Sequence, residues 1–307
     1  MRKIFKSVPL RMALTGLCAV AIMFGFSTGS VLAHDDPTHY DKSKEPHESP
    51  HKAEPPTGGH KNLAEAATNP VANLVQFQIQ DVYNWNNYNS DGYGNDFIIQ
   101  PVIPIPLPWK SVPLWIMRAT IPYVTTPRLA DPVGRRRGFG DLTILNLFTP
   151  KLKAKGIQVG LGPTIVVPLA GDNEFTGNGK WQAGPTFLYI NLRTPQVQWG
   201  ALVYQLWDFA SASGGSDRPG VSKLSLQPFI NYHMKKGWYV GSPETPQTYD
   251  FKSSKWTWAL GPNVGRVFKI GKRPVKMFGA VYYNPESNNG PTARWTAKLG
   301  ITFLFPE

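Results

Sequence analysis

The most restrictive feature of this sequence is a strict alternation of apolar side chains in its last segment, residues 293–305. Every second residue from Ala293 to Phe305 is apolar, and the positions between them include Arg294 and Lys298. A period of two places these sets on opposite faces of a β-strand. The segment exceeds the roughly 9–11 residues that a tilted strand needs to cross a bilayer and the usual length of about 5–6 in soluble domains. It therefore predicts a membrane-spanning strand.

Segments of the same kind recur along the chain, and the polar connections between them alternate between long and short. We place the segments at residues 71–82, 95–107, 112–124, 139–149, 156–169, 180–191, 198–209, 221–234, 237–251, 255–269, 275–284 and 292–305. An even strand number, with long outer loops and short periplasmic turns, is typical of bacterial outer-membrane barrels. The sequence therefore predicts an all-β fold, a transmembrane up-and-down antiparallel β-barrel of about 12 strands.

Prolines inside the predicted strands are the main objection to this barrel, because a closed sheet has no edge at which a missing N–H can be tolerated. Pro243 and Pro246 interrupt the segment 237–251, which makes it the weakest of the twelve. Three other prolines follow a glycine, and we expect bulges or bends there: Gly162-Pro163, Gly184-Pro185 and Gly261-Pro262.

Residues 1–33 have the pattern of a secretory signal peptide. Cations precede an apolar run over residues 12–26, and the small residues before and at Ala33 suit cleavage after that position. A retained N-terminal anchor helix is the alternative. Cys18, the one cysteine of the chain, lies inside this segment, so the mature protein is expected to lack disulfides and thiolate metal sites.

Residues 34–65 are rich in histidine and proline and show no apolar periodicity. Such a segment cannot bury enough apolar area to offset its ordering entropy, so we expect a flexible periplasmic tail before a barrel at residues 66–307. His47 and His51 have the spacing of one helical turn and are weak metal-ligand candidates, but Pro50 lies between them. We expect no structured metal site and no cofactor.

Charge and motifs argue against other classes of function. The formal net charge is +12, but no helix-turn-helix, zinc-finger spacing or basic arm accompanies it, so no nucleic-acid partner is expected. His233 shares the polar face of its predicted strand with Asn231, close to a short turn. Since no nucleophile motif is present, we predict no catalytic residues and no enzyme activity. An outer-membrane lipid hydrolase is the least favoured hypothesis.

Several motifs, in collinear order over residues 64–307, carry a resemblance to a known family. They include AATNPVANLVQFQIQ, IIQPVIPIPL, GLGPTIVVPLA, GNGKWQAGPT, GPNVGRVFKIGKRPV and the final ITFLFP. The chain resembles the "MetA-pathway of phenol degradation" outer-membrane family, whose members are often mislabelled as neuromedin U. The resemblance implies a transport-type outer-membrane barrel and no catalytic residues.

We therefore predict a transporter or diffusion channel for small, hydrophobic or aromatic solutes, set in the lipid of a Gram-negative outer membrane. The candidate lumen and selectivity residues are Gln76, Gln78, Gln80, Gln100, Arg118, Thr120, Arg294, Lys298 and Thr302. A non-conducting structural or adhesion barrel is the alternative. The last strand, ending at Phe305, is the predicted contact for the barrel-assembly machinery.

The cations among these candidates predict the charge of the lumen. A cation facing mid-bilayer lipid costs about 2–4 kcal/mol, so Arg118, Arg294 and Lys298 should point inward and make the lumen net positive, which favours anions. The alternative is that each cation braces the wall by pairing with an acidic residue. The acids considered for that role are Asp81, Asp141 and Asp208.

Overall fold

The computed structural model describes residues 60–129, 133–171, 175–212, 218–288 and 290–306. The elements of these segments are α1 (His60–Thr68), β1 (Val75–Trp85), β2 (Gly94–Pro106), β3 (Leu114–Thr125), β4 (Arg137–Phe139), β5 (Leu142–Thr149), β6 (Ile157–Val167), β7 (Lys180–Thr194), β8 (Val197–Ser211), β9 (Ser222–His233), β10 (Trp238–Gly241), β11 (Gln247–Asp250), β12 (Lys255–Thr257), β13 (Asn263–Ile270), β14 (Arg273–Tyr283) and β15 (Trp295–Phe305). The predicted signal peptide and most of the predicted tail lie outside the described residues. Within those residues, no helix combines the length and apolar character needed to cross a bilayer.

All the strands belong to one antiparallel sheet, which is closed by the pairing of β1 with β15. This pairing runs from Val75 opposite Phe305 to Trp85 opposite Trp295. Three positions in the wall are each built from two short strands, β4 with β5, β10 with β11, and β12 with β13. The result is a closed 12-strand barrel, which confirms the predicted fold.

Burial alternates along each strand and separates a lumen face from an outer face. On β15, Lys298 is 5% exposed whereas its neighbour Leu299 is 61% exposed. The outer face carries aromatic pairs near both ends of the barrel, such as Trp85 with Trp295 and Trp115 with Phe148. Aromatic girdles of this kind mark the two interfaces of a membrane barrel.

The connections define two different ends of the barrel. Short turns join the strands at one end: residues 107–113, 150–156, 195–196, 234–237 and 271–272. The connections at the other end are mostly longer: residues 86–93, 126–136, 168–179, 212–221, 251–254 and 284–294. We call these the short-turn end and the long-loop end. Their alternation agrees with the predicted up-and-down connectivity.

The weakest predicted strand is interrupted in the structure. β10 ends at Gly241 and β11 begins at Gln247, and residues 242–246 between them leave the sheet. Pro243 and Pro246 cannot donate backbone hydrogen bonds to a neighbouring strand, which accounts for the break. The segment 242–246 contributes side chains to the lumen instead.

Two of the three Gly-Pro pairs do not form the expected bulges. The register shifts of β7 lie at Trp181/Gln182 and Asn191/Thr194, away from Gly184-Pro185. At these pairs the strands approach closely without changing register: a Cβ added at Gly184 would lie 1.7 Å from the carbonyl oxygen of Gln205. The third pair, Gly261-Pro262, does coincide with a break, between β12 and β13.

The close approach at Gly184 generates a prediction about stability. Gly184→Ala should destabilise the barrel by about 1–3 kcal/mol, because the added methyl group collides with backbone rather than with a flexible side chain. Gly171→Ala is the matched control, since an added Cβ there meets no atom within 4 Å. Urea unfolding in detergent, followed by tryptophan fluorescence, measures both. Equal stability of the two variants would contradict the close packing of β7 against β8.

Candidate functional site in the barrel lumen

The lumen contains an elongated cavity of about 450 Å³. It extends from Asn69 and Pro70, which follow α1, to Asn284 and Thr296 near the long-loop end. Its volume lies in the range of about 300–1,000 Å³ that is typical of small-molecule sites. The cavity can therefore hold a small solute inside the wall of the barrel.

The helix α1 lies in the short-turn end of the barrel and closes the cavity from that side. Ala64 and Ala67 of the helix are almost fully buried against Val267 and Leu304, which face inward from β13 and β15. Residues 60–65, which the composition assigns to the flexible tail, thus form the first part of this helix. The small side chains of Ala64 and Ala67 let the helix fit within the ring of strands.

Polar side chains anchor the C-terminal end of this helix to the wall. The hydroxyl of Thr68 donates to Oε1 of Gln198 at 2.6 Å and lies 3.3 Å from Nε2 of His233. Nδ2 of Asn69 donates to Oε1 of Gln158 at 2.9 Å. His233 is 3% exposed and lies at the short-turn end, as the sequence predicts. Its contacts hold α1 in place.

A row of amide side chains crosses the wall on the lumen side. Nε2 of Gln80 donates to Oε1 of Gln100 at 3.2 Å, and Nε2 of Gln100 donates to the hydroxyl of Thr120 at 2.7 Å. These residues lie on the adjacent strands β1, β2 and β3. They form a polar track along one side of the cavity.

The interrupted segment 242–246 brings an acidic residue to the lumen. Both carboxylate oxygens of Glu244 accept from Nζ of Lys276, at 3.2 and 3.3 Å, and this side chain of Lys276 is 4% exposed. Nζ of Lys298 donates to the backbone carbonyl of Glu244 at 2.7 Å. The hydroxyl of Thr245 donates to that of Tyr282 at 3.3 Å. These contacts hold the segment against β14 and β15.

Apolar side chains form another part of the cavity wall. Val102, Leu145, Leu202 and Phe229 line the cavity and belong to one buried cluster. Arg118 lies beside two of them, because Val102 and Leu145 are its partners on the neighbouring strands. No described residue accepts a hydrogen bond from the buried Nε atom of Arg118. The cavity therefore combines an apolar wall with a buried cation whose Nε atom has no acceptor among the described residues.

Most of the predicted lumen residues do line this cavity: Gln76, Gln78, Gln80, Gln100, Arg118, Thr120 and Lys298. Arg294 does not, since it precedes β15, is exposed, and lies with its guanidinium 5.5 Å from the ring of Tyr88 and 5.9 Å from that of Tyr283. Thr302 faces inward but is fully buried and lies outside the cavity.

The acidic residues that face the lumen cations differ from those expected. Asp81 accepts from Nδ2 of Asn95, whereas Asp141 and Asp208 accept from backbone N–H groups of loops. Sequence reasoning missed Glu244 and its partner Lys276. The sequence feature that could have indicated this pair is an acidic residue, Glu244, that lies between Pro243 and Pro246 inside a predicted strand.

The metal-ligand candidates of the tail, His47 and His51, lie outside the described residues. Within the described part of the chain, no group of three or more His, Cys, Asp or Glu side chains is placed to hold a metal ion.

Comparison with solved structures identifies the class of this barrel. The chain is similar to the COG4313 outer membrane channel from Pseudomonas putida F1, with a TM-score of 0.54 and 14% sequence identity, over 78% of this chain and 100% of that one. At this identity the similarity establishes the fold. The protein thus has the fold of the outer-membrane β-barrels.

Other similarities are weaker. The NanC porin matches with a TM-score of 0.46 and 12% identity over 74% of this chain and 98% of that one. Outer membrane phospholipase A from Escherichia coli matches with a TM-score of 0.39 and 13% identity over 75% of this chain and 96% of that one. Neither value bears on function. No protein-family model and no curated protein matches the chain, so membership of the phenol-degradation family stays a prediction.

The pairing of Glu244 with Lys276 generates a prediction for a double-mutant cycle. Glu244→Gln alone leaves the ammonium of Lys276 without its carboxylate partner, and Lys276→Gln alone leaves the carboxylate without its cation. Each single substitution should lower the free energy of unfolding. The two losses should sum to more than the loss in the double variant, with a coupling energy of about 0.5–3 kcal/mol. Urea unfolding of the four proteins measures this coupling. Additive effects would contradict an ion pair that holds the segment 242–246.

Proposed function

We propose that this protein is an outer-membrane diffusion channel for small, partly apolar solutes. The observation that carries the proposal is the cavity of about 450 Å³, which follows the barrel axis from α1 to the long-loop end. A barrel whose interior is completely filled by side chains would not contain such a cavity. The resemblance to the phenol-degradation family supports the same class of solute.

We further propose that the long-loop end faces outward and the short-turn end faces the periplasm, as is usual for these barrels. Solute would then enter between the long loops and meet α1 at the bottom of the cavity. A smaller cavity of about 220 Å³ lies beside α1 and is lined by Glu65, Ala66, Leu192 and Gln198, among others. Asn69, which follows the helix, lines both cavities.

The charges lining the cavity favour anions weakly. The cavity is lined by three cations, Arg118, Lys276 and Lys298, and by two acidic residues, Asp96 and Glu244. One positive charge is therefore in excess. The lumen is therefore less positive than the sequence predicts, because Glu244 compensates Lys276. A cationic and apolar lining suits a solute with an apolar body and an acidic group.

The alternative of a non-conducting structural or adhesion barrel rests on a specific observation, the position of α1 in the short-turn end. Conductance of the purified protein in a planar bilayer distinguishes it from the channel. A lipid hydrolase has less support, since His233 contacts Thr68 and Gln198 at the short-turn end. Recognition of the strand ending at Phe305 by the assembly machinery stays a prediction.

Removal of the helix tests whether α1 limits conduction. A variant lacking residues 34–68 should have a higher single-channel conductance than the intact mature protein, because the short-turn end is no longer filled. A variant lacking residues 34–59 is the matched control and should conduct like the intact protein, since it keeps the whole of α1.

A shift in gel mobility on heating shows whether each of these variants still forms a closed barrel. Equal conductance of two correctly folded deletion variants would contradict a limiting role for α1. Absence of conductance in both would favour the non-conducting alternative.

The lumen cations generate a prediction about selectivity. Replacing Arg118 and Lys298 together with glutamine leaves Lys276 as the cation facing Asp96 and Glu244, so the reversal potential in a salt gradient should change sign toward cation preference. Arg294→Gln is the control, because Arg294 stacks on Tyr88 and Tyr283 outside the cavity. An unchanged reversal potential in a conducting double variant would show that these residues do not set selectivity.

A further inference from the structure

The surplus positive charge of the described residues is concentrated at one end of the barrel. Exposed cations occupy or flank all five short turns: Lys110, Lys151, Lys153, Lys155, Arg193, Lys235, Lys236, Arg266, Lys269, Lys272 and Arg273. Among the described residues at this end, Glu65 of α1 is the one acidic side chain. We call these exposed cations the basic ring.

The long-loop end has no comparable imbalance. Its cations are accompanied by acidic residues on the same strands and loops: Asp81, Asp91, Asp96, Asp141, Asp208, Asp250 and Glu286. The lumen is also close to neutral, as described above. The asymmetry between the two ends therefore belongs to the outer surface and is not a by-product of a charged channel.

Two cations of the basic ring lie beside outward-facing aromatic side chains. The guanidinium of Arg266 lies 5.3 Å from the ring of Trp238, and that of Arg273 lies 6.0 Å from the ring of Phe305. Trp238 is 42% exposed and Phe305 is 40% exposed on the outer face of the wall. Aromatic side chains at strand ends mark the level of the lipid head groups, so these cations lie at the depth of the phosphates.

The distribution of the cations around the barrel indicates the shape of the partner. A folded protein or a polymer strand would contact one sector of the rim, whereas cations on all five short turns surround the barrel. A lipid leaflet surrounds a barrel in the same way. Anionic phosphates are the complementary charge, and a cation near an anionic membrane surface contributes about 1 kcal/mol, or about fivefold in affinity.

We propose that the basic ring binds the phosphate groups of anionic phospholipids, with phosphatidylglycerol as the type case, in the leaflet at the short-turn end. Under the orientation proposed above, this is the periplasmic leaflet of the outer membrane. The ring would then fix the depth of the barrel and select the phospholipids next to it. This binding of lipid does not depend on conduction through the lumen.

The test measures lipid preference of the purified mature protein in mixed micelles. Brominated phosphatidylglycerol or brominated phosphatidylcholine is titrated in, and quenching of tryptophans such as Trp109 and Trp238 reports binding. The protein should prefer phosphatidylglycerol. The preference for phosphatidylglycerol over phosphatidylcholine should fall in the triple variant Lys151→Gln, Lys153→Gln, Lys155→Gln. The expected decrease is up to about fivefold for each cation that contacts a head group.

The matched control neutralises three exposed arginines at the long-loop end, Arg128→Gln, Arg136→Gln and Arg137→Gln, and should keep the preference. High salt should weaken the preference of the unmodified protein. Equal loss in both variants would show a general effect of net charge, and no preference in the unmodified protein would overturn the proposal. Micelles do not distinguish the two leaflets of a membrane, and the measurement does not involve conduction. The result is therefore independent of the proposed orientation and of the proposed function.

Discussion

The pairing of β1 with β15 is the interaction on which the rest of the structure depends. In the hydrocarbon of a bilayer every backbone N–H and C=O must be paired within the protein, and a sheet satisfies this only when it has no edge. The ladder from Val75 opposite Phe305 to Trp85 opposite Trp295 removes the last two edges. Once the sheet is closed, each strand has a lipid face and a lumen face, and the alternation of the sequence follows from that division.

Closure also explains where irregular backbone is tolerated. The segment 242–246 lacks regular pairing, which is acceptable at membrane depth only where it faces protein or a lumen. It turns inward, and Glu244 meets Lys276 and Lys298 there. A break in the wall thus supplies the acidic group that moderates the charge of the cavity. The pairing of β5 with β6 is also interrupted, between Leu145 opposite Thr164 and Phe148 opposite Leu161, and there the carbonyl oxygen of Pro163 accepts from Nδ2 of Asn146.

Much of the fold could be predicted from the sequence because a membrane strand has two chemically distinct faces. The approximate positions of most strands follow from the period of two and the polar connections, and the inward direction of Gln76, Gln78 and Gln80 follows from the lipid outside the wall. Contacts across the lumen could not be predicted in this way. The pairing of Glu244 with Lys276 depends on a turn made by two prolines, and the seating of α1 depends on the width of the closed barrel. Neither leaves a periodic signal.

The two ends of the barrel differ in what they contain and in their charge. At the short-turn end, α1 fills the ring of strands, and the basic ring lies outside it. At the long-loop end the loops carry mixed charges, and Arg294 stacks on Tyr88 and Tyr283. The proposed solute path connects the two ends through a lumen that is partly polar and partly apolar.

Lipid and water contact alternate residues of the closed barrel wall. Single cysteines along β15, each carrying a fluorophore in the mature protein in liposomes, test it directly. Labels at Ala297, Leu299 and Ile301 should be quenched by a spin-labelled lipid, and labels at Thr296 and Lys298 by a water-soluble quencher. Quenching by the water-soluble agent at every position, with none by the lipid, would contradict a barrel that spans the membrane.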